Sequence, residues 1–386
     1  MTTTNSPLTL LDLPNELLAL IVDLAIPDYS VEPGAYSERC KTGRHLSLVC
    51  RALRPLAQAK LREACEDAPF ARSDGHLAPE LKRDLRSVSI YEETSLDDLS
   101  TMLIGCTALR DLSVSWHEEM DLSLLAGLAG LQRLMFFSVS VIAPRPFSFN
   151  SLVEFSCHTS YAHTNHPLIT LDRSSFPKLQ ALGLDNYQIN LSEDGPALSP
   201  ADDLLAALTC VVFRSSHALM TSSLDYLHPY SDKVLREFDT DKLGRLTQEV
   251  VDAFSHFQHL RLWAKGYELD HAWFLNNECR YMQDDEVQDV ITGLVDLANE
   301  LDRRPPTFVS LKSLYLPTKL DPDLPSDPRT GDLSPRLQPG RDQLLAACRS
   351  AQVAVFFEVH PHLGCDSLVL PAFWERCKAA KESGAR

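Results

Sequence analysis

Two hydrophobic patterns divide the chain. Near the start, Leu17, Leu20, Ile21 and Leu24 recur at the spacing of a helix face, with Leu18 and Ala25 widening the stripe. Pro14 suits the first turn of that helix, where a missing N–H costs nothing, Glu16 suits its positive end, and Pro27 stops it. A polar loop is expected over residues 27–44. A second helical run follows from His45 to Cys65, marked by Leu46, Val49, Leu53, Leu56 and Leu61 and split or kinked at Pro55.

From residue 85 a new period takes over, with units of the form L-x-x-L-x-L. The first is Leu85, Val88, Ile90. It is followed by Leu109, Leu112, Val114; Leu131, Leu134, Phe136; Leu152, Phe155, Cys157; Leu179, Leu182, Leu184; and Leu208, Val211, Phe213. Their first positions lie 24, 22, 21, 27 and 29 residues apart, the period of leucine-rich repeats. Two further units are Phe257, Leu260, Leu262 and Leu311, Leu314, Leu316. Because a strand alternates its faces, the last two apolar positions of each unit point together into a core, and the first closes the turn into the strand. Helical stretches fit between strands at 96–106 and 122–130. A strand and a helix that cannot bury their faces alone are buried by stacking.

The expected fold is α/β: an N-terminal helical module over residues 8–65, a linker over 66–84, and an irregular strand–helix solenoid over 85–378, with a tail at 379–386. The array is degenerate, since the asparagine that usually follows each strand is replaced by His117, Val139, Ser160 and Tyr187. Residues 284–304 form an amphipathic helix, residues 317–341 a proline-rich acidic loop, RDQLLAACRS a helix and VAVFFEV a last buried strand.

Charge changes this picture in one place. Asp and Glu number 53 against 36 Lys and Arg, a net charge of −17, which argues against a nucleic-acid partner. Yet Arg39, Lys41, Arg44, Arg51, Arg54, Lys60 and Arg62 follow one another with no acid between them. The ten cysteines form no C-x-x-C pair and sit mostly in apolar runs, which fits free thiols in a reducing cytoplasmic or nuclear setting. No apolar run is long and clean enough for a secretory signal or a membrane span.

Leu13, Pro14, Glu16, Leu17 and Ile21, then Leu46, Ser47, Leu48, Val49, Cys50, Arg51 and Leu53, carry a resemblance to the F-box, L-P-x-E-L-L-x-x-I followed after a loop by L-x-L-V-C-x-x-L. The resemblance implies docking to the Skp-family adaptor and cullin core of an SCF-type ubiquitin ligase. By residue match, Leu13, Pro14, Leu17, Leu48, Val49 and Cys50 would belong to the adaptor-facing or helix-packing set. The basic run would steer an acidic partner into place. A target protein would then be held by the repeats, whose x positions line the open face of the sheet. Trp116, Met135, Phe137 and Trp263 are the large apolar groups there, of the kind that dominate interface energies. The alternative is a leucine-rich-repeat scaffold unrelated to ubiquitin.

Catalytic and metal chemistry find little purchase. Asp239, Asp241 and Gly244 begin like a calcium loop, but Leu243 and Val250 stand where oxygen ligands are required. His158, His163 and His166 beside Cys157 read as loop histidines. His256 and His259 lack the i, i+4 spacing of a helical metal pair. There is no G-x-S-x-G, Walker or G-x-G-x-x-G signature, so neither enzyme activity nor a cofactor is expected.

Overall fold

A computed structural model describes residues 13–26, 35–66, 79–90, 103–115, 119–137, 139–158, 169–185, 198–214, 225–239, 255–263, 284–304, 307–317, 320–322 and 334–358. Helices α1 (Asn15–Ala25), α2 (Ala35–Val49) and α3 (Leu53–Arg62) come first, then β1 (Ala64–Glu66) and α4 (Pro79–Asp84).

The loop expected over 27–44 is helical from Ala35. Its helix is hard to read because its inward positions include Arg39 and Gly43, not an apolar stripe. Gly43 sits where α2 crosses α3, and a Cβ there would lie 2.7 Å from Leu61. The break at Pro55 falls as expected: α2 ends at Val49 and α3 starts at Leu53, which leaves Pro55 in a first turn where no N–H is required.

Each of the eight repeat cores becomes a strand, and two further strands join them. These are β2 (Ser87–Ile90), β3 (Asp111–Ser115), β5 (Arg133–Phe137), β7 (Glu154–His158), β9 (Ala181–Asp185), β11 (Cys210–Arg214), β12 (Val234–Asp239), β13 (His259–Trp263), β14 (Ser313–Pro317) and β15 (Ala354–Glu358). With β1 they form one 11-stranded sheet in chain order, every neighbouring pair parallel. Short strands β4 (Glu119–Asp121) and β6 (Ser140–Ile142) pair with each other, as do β8 (Ile169–Leu171) and β10 (Leu198–Pro200). Met120, Val141, Ile169 and Leu171 from these strands join the same continuous core as the repeat leucines. The mixed α/β architecture with a stacked parallel sheet is therefore the expected one.

The strand entrances share a main-chain device. At seven of them one carbonyl accepts two successive N–H groups from the next repeat. Glu63 O serves Arg86 and Ser87, Arg86 O serves Arg110 and Asp111, and Arg110 O serves Gln132 and Arg133. Gln132, Val153, Gln180 and Gln258 continue the series. Buried entrance amides are thus satisfied without a side-chain ladder.

Four expectations need amendment. The helix over 122–130 is only α5 (Leu122–Leu125), and that over 96–106 lies mostly outside the described residues. The proline-rich stretch is helical from Ser334, as α8 (Ser334–Ala351), with Pro335 in the first turn and Gly340 letting α7 (Asp284–Asp302) approach so closely that a Cβ would meet Ile291 O at 3.0 Å. The final strand is the sheet's last and only half-buried, because an edge strand has one neighbour. A further unit, β12, escapes the pattern: Arg236 pairs with Phe213 of β11 and Leu260 of β13, so a charged residue stands in register with inward apolar positions of both neighbours.

Candidate protein-interaction surfaces

Helix α1 has two apolar faces. Leu18 and Val22, with Ile26 just beyond, point inward and meet Leu53 and Ala57 of α3, with Leu13, Leu46, Cys50 and Leu56 packed around them. Leu17, Leu20 and Leu24 form a second stripe at i, i+3, i+7 that faces outward, 45%, 52% and 78% exposed. Leu48 and Val49, at the end of α2, are 83% and 63% exposed.

The six candidate adaptor-binding residues therefore divide. Leu13 and Cys50 pack the small core, and Cys50 Sγ accepts from the Leu53 N–H at 3.4 Å. Pro14 caps α1 with its carbonyl, accepting from Leu17 and Leu18, and is itself exposed. Leu17, Leu48 and Val49 face outward. Sequence matching left out Leu20 and Leu24, although their spacing from Leu17 was visible.

The basic run also divides. Arg39 is buried and donates to Lys60 O. Lys60 pairs with Asp23 at 3.4 Å and Glu63 at 3.3 Å, and Arg62 pairs with Asp84 at 3.3 Å. Lys41, Arg44, Arg51 and Arg54 are exposed, with no ion pair among the described residues.

The open face expected of the sheet is largely closed. Ser87, Ser89, Ser113, Ser156, Arg261, Ser313 and Tyr315 all occupy x positions, and all are buried. Ala181, Cys210, Val212, Leu235 and Tyr315 form a second apolar cluster on that side, and Tyr315 stacks on Phe356 at 5.1 Å. A parallel sheet is characteristically buried on both faces, and the apolar x residues of the later strands make its second face apolar. Polar contacts persist at the strand entrances. Asp111 accepts from Ser87 Oγ at 2.8 Å and from Arg133 Nε at 2.6 Å. Met135 is half-buried on β5; Phe137 and Trp263 lie on β5 and β13, their side chains outside the described set, and Trp116 lies outside it altogether.

The chemical candidates are placed as follows. His259 Nδ1 lies 2.6 Å from Ser313 Oγ and its Nε2 lies 3.1 Å from Asp232 O, so the ring ties β13 to its neighbours. His228 and His256 stack with centroids 4.4 Å apart. His158 ends β7 and Asp239 ends β12, while His163, His166, Asp241 and Gly244 lie outside the described residues. Among the described residues no group of three or more His, Cys, Asp or Glu is placed to hold a metal. Burial pushes the Cys106 thiol up against the opposing pull of Lys82, and burial with the nearby Asp302 charge pushes Cys348 up to about 12. Thiols so raised are poor nucleophiles. Among the described residues no helix is long and apolar enough to cross a membrane.

No protein-family model matches the chain, and no curated protein matches it. A solved chain titled "Crystal structure of TLR13-ssRNA13 complex" is similar at 14% identity and a TM-score of 0.32, over 66% of this chain and 34% of that one. This chain thus spans about a third of that protein's length.

Proposed function

We propose that the chain is a receptor subunit of an SCF-type cullin–RING ubiquitin ligase, docking a Skp-family adaptor through its three-helix leader and holding a target protein on its repeat body. The observation that carries this reading is the outward stripe of Leu17, Leu20 and Leu24, with Leu48 and Val49, beside a small core that is otherwise sealed. Full burial of one leucine contributes roughly 1.5–3 kcal/mol, so five such residues left in water mark a surface that gains from a partner. The work done is positioning: a bound target is held at high effective concentration near a charged conjugating enzyme, with no catalytic group of its own. Such a subunit acts in the cytoplasm or nucleus.

The test is co-purification with the adaptor. The full chain should capture it; a chain lacking residues 8–62 should not, while the sheet remains folded, because β1 and the Glu63 carbonyl that receives Arg86 and Ser87 are kept. Capture by the shortened chain would refute the docking role and leave a repeat scaffold unrelated to ubiquitin.

A further inference from the structure

We infer that the partner of the leader module presents an acidic surface beside an apolar one, and that Lys41, Arg44, Arg51 and Arg54 govern how fast it is captured. The inference rests on the docking reading above and adds the chemistry of the partner's surface. Seven basic residues follow one another from Arg39 to Arg62. Three have partners within the chain: Arg39 bonds the Lys60 carbonyl, Lys60 pairs with Asp23 and Glu63, and Arg62 pairs with Asp84 at the surface. The other four are exposed and carry no ion pair among the described residues.

Their placement follows from the helix. Lys41, Arg44 and Leu48 stand at i, i+3 and i+7 on α2, so two cations and the 83% exposed Leu48 share one face. Arg51 lies in the turn after α2 and Arg54 near the start of α3, which extends positive charge past the exposed Val49. Cations interleaved with apolar side chains suit a protein surface that offers carboxylates around a groove. Arginine adds planar, two-point bonding to carboxylates.

The rest of the molecule selects the class of partner. A chain of net charge −17 repels an extended polyanion, whether bilayer or nucleic acid, over much of its surface. A compact acidic protein that meets only this corner feels the local positive field, because charges beyond about 8 Å are screened at physiological salt.

The experiment measures association and dissociation rates of the full-length chain with purified Skp-family adaptor across salt. Between about 0.05 M and about 0.5 M salt the association rate should fall about tenfold or more while dissociation changes little. The variant Lys41→Glu/Arg44→Glu/Arg51→Glu/Arg54→Glu should associate slowly at all salts. The matched variant Arg44→Lys/Arg51→Lys/Arg54→Lys should restore the speed, since steering follows charge and not shape. Adaptor binding at a salt-independent rate, or unchanged capture by the glutamate variant, overturns this inference and leaves the docking reading standing. No adaptor binding at any salt overturns both. Binding of phosphatidylserine vesicles or duplex DNA that depends on these four residues overturns the choice of an acidic protein.

Discussion

Leu17 and Leu18 are chain neighbours with opposite environments, 45% and 2% exposed, and truncating each to alanine should separate stability from binding. Among the described residues, Leu18 belongs to a core of five buried side chains with Val22, Ile26, Leu53 and Ala57. Leu18→Ala removes transfer free energy and leaves a cavity, a loss of about 2.7–5 kcal/mol. That is a large share of what so small a core supplies. Leu17→Ala removes a side chain already half in water, so its cost to the fold should stay below about 1 kcal/mol. The repeat body has its own core, running from Leu85 to Val353 without Leu18 or Val22. Hydrogen exchange should therefore show α1–α3 amides losing protection in Leu18→Ala while β3 to β9 keep theirs, and near-normal protection throughout in Leu17→Ala. Adaptor capture should weaken in both, by unfolding in one and by a lost contact in the other. Equal loss of protection in the two variants, or loss spreading into the central strands, would refute a separately packed leader with a free face.

Other sites give independent tests. Lys233 is buried, and its ammonium donates to the carbonyls of Leu205, Ala206 and Leu208 at 2.5, 3.0 and 3.1 Å, closing the end of the short helix Asp202–Ala207. Lys233→Met should cost about 2 kcal/mol or more by leaving these acceptors unbonded, read as a lowered urea midpoint. The hydroxyls of Ser113 and Ser156 are buried without a hydrogen-bond partner among the described residues. Ser156→Ala should therefore be neutral or raise the midpoint, whereas a loss above about 1 kcal/mol would reveal an unseen partner. Cys348 is raised from 9.0 to about 12, so the neutral thiol favours the folded state. Its contribution is complete below pH 9.0 and is lost as pH rises toward about 12. Cys348→Ala should flatten the alkaline fall in stability, and native Cys348 should resist alkylation at about pH 8 until the chain is unfolded.

The repeat strands were legible because each packs two inward residues at a fixed offset from a turn-closing leucine, a constraint the next repeat imposes again. A longer motif was also present and passed unread. Cys106, Leu128, Phe149, Phe176 and Phe308 each stand three residues before the turn leucine, and their carbonyls receive the amides of Leu109, Leu131, Leu152, Leu179 and Leu311. Phe149 and Phe176 stack at 5.6 Å, and Phe155 stacks on Phe176 at the same distance, so this extra position forms part of the core. The second face of the sheet was misread for a different reason. Serines at alternate positions look solvent-facing, and nothing local tells a buried Ser89 from an exposed one. In the leader, Leu17 and Leu18 are indistinguishable by type; only the approach of α3 decides which is sealed.

That approach also fixes how the leader is carried. Helix α3 ends at Arg62 and β1 begins at Ala64, leaving only Glu63 between them. Glu63 gives its carbonyl to Arg86 and Ser87, and its carboxylate reaches Arg86 at 3.5 Å and Lys60 at 3.3 Å. Residues 64–66 then pair with β2 in register. Helices α1–α3 are thus joined to the sheet by backbone hydrogen bonds and ion pairs, with Glu63 alone between α3 and β1. A flexible tether would let a held target sample many distances from the adaptor, and its effective concentration would fall as the tether lengthened. A helix running into the first strand fixes one distance and one orientation. In the proposed receptor role, placement of a target depends on that stiffness as much as on the outward leucines of α1.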